Sequence, residues 1–189
     1  MILVSAVASA LVLYFSLTLY VFPQLYQSIE PRRPEAAVTN VSLLASKVEL
    51  GQAFAISVTG INRGEVADMQ IVSIGFPNST AIDNIEVLTH DFSQTPIFIS
   101  PRDDVSSEYG KRSVDAQYPS VEAYSRPWVG GGAYSINLQV TPEAEGSFVI
   151  YVKSIAFPHS WDGAHWPHDG IVDYQKEFVQ VHYVQVTKP

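Results

Sequence analysis

The strongest constraint on this chain comes from its first segment, which carries no charged residue from Ile2 to Phe22. The segment reads ILVSAVASALVLYFSLTLYVF and is followed directly by Pro23. A helix of this length extends about 30 Å, which matches the hydrocarbon thickness of a bilayer. The sequence therefore predicts a single transmembrane anchor within residues 1–22.

Two alternatives to a retained anchor fit the sequence less well. A cleaved signal peptide has a shorter apolar core, a charged start and small residues at a cleavage site after that core. Here the small residues Ala8, Ser9 and Ala10 precede most of the apolar run. A buried core helix is rarely so long and so uniformly apolar. We therefore expect the first helix to be retained and to hold the chain at a membrane.

Two opposing signals bear on the side of the membrane where the rest of the chain lies. Arg32 and Arg33 follow the apolar run, and such residues are enriched on cytoplasmic flanks. Large domains, however, cross largely regardless of charge, and Asn-x-Ser/Thr acceptors begin at Asn40 and Asn78. Because the chain has no cytosolic motif, we expect a single-pass protein of the cell membrane with its body outside the cell.

A proline-rich stretch separates the apolar run from the body. Residues 23–36 include Pro23, Pro31 and Pro34. Proline fixes φ and disfavours helix in the residue before it. The stretch therefore predicts an extended stalk between the anchor and a folded domain at residues 37–189.

The body is dominated by apolar and polar residues that alternate with period two. Phe54, Ile56 and Val58 fall on one face of AFAISVT, and YSINLQVT repeats the pattern from Tyr134. Strands with one buried and one wet face have this pattern. The segments that predict strands are 38–44, 53–59, 69–76, 85–89, 97–100, 134–141, 147–155 and 178–186.

These strands favour an all-β fold, a two-layer immunoglobulin-like β-sandwich of about seven to nine strands, with a small barrel as the alternative. Hydrophobic residues make up 47% of the chain and charged residues 16%, which is the balance of a folded body and not of a disordered one. No cysteine is present. Disulfides, thiolate zinc sites and blue copper are therefore excluded.

Charge and motifs exclude further classes of function. The net charge is −8, whereas a nucleic-acid partner requires a basic surface, so we expect no nucleic acid. No nucleophile-elbow pattern G-x-S-x-G is present. The triplet at residues 130–132 is GGG, but it lacks the Lys and Ser/Thr that complete a phosphate loop. The sequence indicates no enzyme.

One long stretch, residues 101–132, interrupts the alternation and predicts an insertion. Loops of this length in a compact domain are often functional. Rigid aromatic rings contribute large contact area at a low entropy cost. The insertion is interpreted either as a flap whose aromatic residues lie against the sandwich or as a recognition surface. The candidate binding surface consists of three aromatic residues of the insertion and two tryptophans that follow it in sequence: Tyr118, Tyr124, Trp128, Trp161 and Trp166.

Two parts of the body resemble a known family. The first is VTNVSL, then LGQAFAISVTGINRGEV and DMQIVSIGF, and the second is TPEAEGSFVIYVKS. Their order resembles that of CARDB-type and related immunoglobulin-like domains of archaeal exported proteins. The resemblance implies adhesion, scaffolding or assembly at the cell envelope without catalysis. The second part is also similar to the end of a cupredoxin, although a blue-copper site would need the cysteine that this chain lacks.

A cluster of histidines near the end of the chain could bind a metal ion. Imidazole nitrogens and carboxylate oxygens together suit Zn(II) or Cu(II). The spacing of the cluster matches no standard metal signature, and the structural alternative is a loop in which Trp161 and Trp166 pack on the sandwich. The candidate ligands are His159, Asp162, His165, His168 and Asp169.

The sequence thus supports three functional hypotheses. The first is a non-catalytic interaction module, without a cofactor, whose partners are envelope proteins or a membrane complex. The second is a copper- or zinc-binding accessory domain. The third is a glycan-binding domain that uses the aromatic residues of the candidate binding surface.

Overall fold

The computed structural model of the protein describes residues 2–16, 33–80, 83–105, 114–158 and 163–189. Helix α1 spans Ile2–Ser16. Across the described ranges, no helix combines the length and the apolarity that crossing a bilayer requires. The remainder of the predicted anchor, residues 17–22, and most of the predicted stalk lie outside the described residues.

Beyond α1, the described residues form twelve strands. Their bounds are β1 Ala36–Leu43, β2 Lys47–Glu49, β3 Phe54–Asn62, β4 Met69–Gly75, β5 Ile85–His90, β6 Ile97–Ile99, β7 Ser120–Ser125, β8 Ala133–Val140, β9 Gly146–Phe157, β10 Ala164–Trp166, β11 Ile171–Val172 and β12 Phe178–Thr187. The described part of the chain after α1 contains no helix.

The strands form two sheets, which confirms the prediction of an all-β sandwich. The small sheet has the order β1-β3-β8-β5, and the large sheet has the order β11-β12-β9-β4-β7-β6. Two short strands extend the large sheet: β10 pairs with β9, and β2 pairs in parallel with the end of β12. A core of apolar side chains joins the inner faces of the two sheets.

The alternation predicted from the sequence fixes which side chains enter this core. Phe54, Ile56 and Val58 of β3 are buried, as are Ile136 and Leu138 of β8. Their neighbours along each strand are only half-buried. Since successive side chains point to opposite faces of a strand, the inner face of the small sheet is set by these residues.

Every segment predicted to be a strand contains one, but the prediction of residues 101–132 as a strandless insertion was wrong. The stretch contains β7, which lies between β4 and β6 in the large sheet. Its sequence, SVEAYS, is buried at all positions except Tyr124. Val121 and Ala123 of this strand enter the main core, but the alternation does not show in burial because Ser120 and Glu122 on the outer face are covered by further chain and buried too.

Chain segments outside the main core, here called the outer cover, lie over the outer face of the large sheet and form a small hydrophobic cluster of their own. Ile99, Val105 and Ala116 are buried together there, with Tyr174 packed against them. The backbone N–H of Arg102 donates to the carbonyl of Ala116 at 2.7 Å, and the N–H of Ala116 donates to the carbonyl of Asp103 at 2.9 Å. The outer face of the large sheet is therefore a second buried environment, and the polar site described next lies in it.

Candidate functional site

A buried lysine lies at the centre of the outer face of the large sheet. Val152 and Ser154 of β9 lie on the inner face of the sheet, and Lys153 between them therefore points to the outer face. Only 6% of the Lys153 side chain is exposed, and the carboxylates it meets are exposed by 0% for Asp173 and 10% for Glu177. Charges so deeply buried are stable only when they are paired.

Each proton of the Lys153 ammonium group has an acceptor. Nζ donates to Asp173 Oδ2 at 2.6 Å, to Gln175 Oε1 at 2.5 Å and to Glu177 Oε2 at 2.8 Å. An ammonium group has three donors and no acceptor, so this arrangement uses its full capacity. All three acceptors come from one turn, residues 173–177, which joins β11 to β12.

The turn that supplies these acceptors is built around Asp173. Oδ1 of Asp173 accepts hydrogen bonds from the backbone N–H groups of Gln175 at 2.9 Å and Glu177 at 3.0 Å. The N–H of Asp173 donates to the carbonyl of Glu177 at 2.9 Å, and Lys176 has a φ of 63°. One oxygen of Asp173 therefore organises the turn while the other contacts Lys153.

Three tyrosine rings cover the ion pair. The ring of Tyr118 meets Tyr151 edge-on with centroids 5.7 Å apart and meets Tyr174 with centroids 5.0 Å apart. A Cβ atom at Gly75 would lie 2.5 Å from the Tyr118 ring, so the residue beneath this ring must lack a side chain. The rings pack as a unit and exclude most water from Lys153.

A further carboxylate, Glu122 of β7, faces the same cluster. Glu122 is 4% exposed. Burial first, and then the charges of Glu122, Asp173 and Glu177, raise the pKa of Tyr174 above its usual range. Burial, followed by the charge of Asp173, likewise raises the pKa of Tyr118. The cluster thus holds one basic group among three acidic groups.

These pKa shifts predict that the protein loses stability in alkali. Tyr118 and Tyr174 ionise at higher pH in the folded state than their ordinary value of 10.0, so the unfolded chain releases their protons first. Their contribution to stability is complete below pH 10 and is lost as the pH rises further. Chemical unfolding at a series of alkaline pH values should show this decline. Tyr118→Phe should flatten it, and an identical slope in the variant would contradict the assignment.

The described part of the predicted metal cluster does not converge. His165 lies in β10 opposite Ile155 and is half-buried, whereas His168 and Asp169 are exposed in the turn before β11. Among the residues that the structure describes, no three His, Cys, Asp or Glu side chains are placed to share a metal ion. His159 and Asp162 lie outside the described residues.

The predicted binding surface is divided between several environments. Tyr118 belongs to the site above, Tyr124 is half-buried on β7, and Trp166 packs against the main core. Trp128 is 0% exposed, so its assignment to a binding surface was wrong, and it is a core residue. Trp161 lies outside the described residues.

The sequence prediction missed the Lys153 site. Within its strand, Lys153 is the one charged residue of GSFVIYVKSIAF. A charge at a position flanked by apolar residues in a central strand is a signal for a buried pair. The turn DYQKE carries the complementary charges, but only the register of β12 against β9 brings the two together.

No family model matches this sequence, and no characterised protein matches it as a sequence relative. Solved structures with a similar fold include AvmM, which catalyses macrocyclisation in alchivemycin A biosynthesis. It has 10% identity and a TM-score of 0.43 over 84% of this chain and 91% of its own. A cohesin module from a family 33 glycoside hydrolase of Clostridium perfringens has 9% identity and a TM-score of 0.40 over 84% and 100%.

A CARDB domain from Pyrococcus furiosus, in complex with di-metal ions, is a further similar structure. It has 11% identity and a TM-score of 0.40 over 82% of this chain and 89% of its own. At such identities and TM-scores, these likenesses assign neither an activity nor a ligand to this chain.

Proposed function

We propose that the protein is a non-catalytic interaction module of the cell envelope, anchored to the membrane by its N-terminal helix and with an immunoglobulin-like sandwich outside the cell. The observation that carries the proposal is the exposure of an apolar helix. Val7, Leu11, Val12, Leu13 and Phe15 of α1 are each more than half exposed, from 53% to 67%. A helix that is apolar on every side requires an apolar environment, and a bilayer supplies one.

The order of the strands supports the immunoglobulin-like part of the proposal. The small sheet, β1-β3-β8-β5, corresponds to the A-B-E-D sheet of such sandwiches. The run β12-β9-β4 in the large sheet corresponds to G-F-C. The chain departs from the usual order at β5, which precedes β6 and β7 in sequence. Domains of this architecture commonly present loops and strand edges to partners.

Apolar side chains at one edge of the large sheet support a protein partner. Val172 of β11 is 49% exposed and lies directly opposite Phe178 of β12, which is 38% exposed. Ile171, the preceding residue of β11, is also 49% exposed, on the opposite face of the strand. We name these residues the β11 edge patch. Contiguous exposed apolar residues at a sheet edge are typical of interaction surfaces.

The proposal predicts a specific crosslink in native membranes. A photoactivatable amino acid at Val172 of the full chain should form an adduct with another envelope protein. The same probe at Lys188, which is exposed outside the β11 edge patch, is the matched control. Recovery of monomer alone from both positions would contradict the interaction.

The anchor is tested in the same cells. An arginine near the centre of a membrane helix costs about 2.5 to 3.5 kcal/mol. Leu11→Arg with Leu13→Arg should therefore release the chain from the membrane fraction and abolish the Val172 adduct. Leu44→Arg, at a site on the body that is 79% exposed, should change neither. A double variant that stays in the membrane fraction would contradict the anchor.

The copper or zinc site and the glycan surface stay predictions. Three of the candidate residues for these two sites lie outside the described residues: His159, Trp161 and Asp162.

A further inference from the structure

We propose that Lys153 and Asp173 condense to form an intramolecular isopeptide bond. The bond would join Nζ of Lys153 to Cγ of Asp173 and release one molecule of water. This inference concerns the covalent structure of the domain, and it does not depend on the proposed interaction function. Its basis is the geometry of the buried cluster on the outer face of the large sheet.

Proximity and fixation supply the first part of the argument. Nζ of Lys153 lies 2.6 Å from Oδ2 of Asp173. Lys153 lies in the interior strand β9, between β4 and β12, and backbone hydrogen bonds fix Asp173 in its turn. Holding two reacting groups together in this way can give an effective molarity of about 10⁵ to 10⁸ M.

Burial supplies the second part. The side chains of Lys153 and Asp173 are exposed by only 6% and 0%. Removing a charged pair from water is costly, whereas the amide that would replace it is neutral. The groups that face the pair are Gln175, Glu177, Glu122 and the tyrosines Tyr118, Tyr151 and Tyr174. The tyrosine rings exclude water, which would otherwise solvate the separate ammonium and carboxylate groups and drive the reverse hydrolysis.

The reaction needs no group that the cluster lacks. A proton passes from Nζ to Oδ2 along their hydrogen bond, which gives a neutral amine and a neutral acid. The nitrogen lone pair then attacks Cγ, a C–N bond forms, and the carbonyl electrons move onto Oδ1. The two backbone N–H groups that donate to Oδ1, at 2.9 and 3.0 Å, are placed to stabilise this negative charge.

Glu177 completes the proton balance. Its Oε2 lies 2.8 Å from Nζ, so it can take a proton from the nitrogen of the intermediate and deliver it to the Oδ2 hydroxyl. The C–Oδ2 bond breaks, water leaves, and the carbonyl at Oδ1 re-forms. An ammonium and a carboxylate have then become an amide and a water molecule, with no change of oxidation state.

The bond would tie the interior strand β9 to the turn before β12. It would close a loop that contains the histidine-rich segment, residues 159–169, together with β10 and β11. A covalent closure of this kind restricts the unfolded chain in the way that a disulfide does. The sequence contains no cysteine, so no disulfide can supply such a closure.

The test is the mass of the full chain, purified in detergent. The wild type should be lighter by one water than the mass its sequence requires. Digestion should yield a branched peptide that joins the segment around Lys153 to the segment around Asp173. A chain of full mass, with Lys153 in a linear peptide, would overturn the proposal even if no variant could be prepared.

Variants separate this bond from other losses of water. Lys153→Arg and Asp173→Ala should each restore the full mass, whereas Lys176→Arg, at an exposed lysine of the same turn, should not. A water loss that persists in Lys153→Arg would overturn the proposal, because it would arise elsewhere in the chain. Glu177→Gln should leave the bond unformed, and crosslinking to the wild-type extent would overturn Glu177 as the proton carrier.

Discussion

Replacing Lys153 by Met should lower the free energy of unfolding by about 3 to 5 kcal/mol, because it removes the cation from a buried cluster of anions. Asp173 and Glu177 would be left with side chains exposed by 0% and 10% and without their positive partner. The substitution retains most of the apolar volume of the lysine stem, so the loss reflects charge and not a cavity. Urea unfolding of the full chain in mild detergent, monitored by tryptophan fluorescence, would measure this change in the free energy of unfolding.

A surface ion pair provides the matched control. Lys188 lies 4.0 Å from Glu145, and the two side chains are 79% and 44% exposed. Exposed pairs of this kind contribute from nothing to about 1 kcal/mol. Lys188→Met should therefore leave the unfolding free energy nearly unchanged. Equal effects from the two substitutions would show that the buried cluster does not stabilise the turn before β12.

The Lys153 variant also bears on the covalent inference. If the isopeptide bond forms, the wild type holds a neutral amide in place of the ion pair, and Lys153→Met both removes the loop closure and leaves Asp173 as a buried carboxylate without a partner. The unpaired carboxylate destabilises the folded state, whereas the missing closure frees the unfolded chain. Glu177→Gln retains the Lys153–Asp173 pair while it blocks the condensation. A comparison of these two variants therefore separates the two contributions.

The sequence predicted those strands whose burial follows the alternation of apolar residues. In β3 and β8, every second side chain enters the core, and each strand was located within a few residues of its true bounds. In β7 the rule does not hold, because Ser120 and Glu122 are buried beneath the outer cover. Burial of a polar side chain depends on chain segments that lie far away in sequence, and no local pattern reports it.

The candidate site escaped sequence analysis for a related reason. Lys153 and Asp173 lie on different elements, and a charged turn such as DYQKE is most often solvated. The histidine-rich segment was predicted to bind a metal ion because its donor side chains are close in sequence. Closeness in sequence is a weak guide in a sandwich, since cross-strand register decides which side chains meet. In the large sheet, the pairing of β12 with β9 sets that register.

Trp128→Ala should lower the free energy of unfolding by about 3 to 5 kcal/mol, because it empties a large volume in the core. The indole is 0% exposed and packs edge-on against Phe92 and Tyr134, with centroids 5.4 and 4.8 Å away. Its Nε1–H donates to the carbonyl of Gly132 at 2.8 Å. Beneath it, a Cβ atom at Gly60 would lie 3.1 Å from the ring, so the core is shaped around this side chain.

A second substitution helps to distinguish a Trp128 that packs in the core from a Trp128 that binds a glycan. Trp128→Phe keeps an aromatic ring but leaves the carbonyl of Gly132 without its indole donor, so the loss should be smaller than in Trp128→Ala. Thermal unfolding of both variants would rank them. A glycan-binding tryptophan would behave differently, because its removal would weaken sugar binding and leave stability within about 0.5 kcal/mol of the wild type. A stable Trp128→Ala variant would therefore argue against the core assignment.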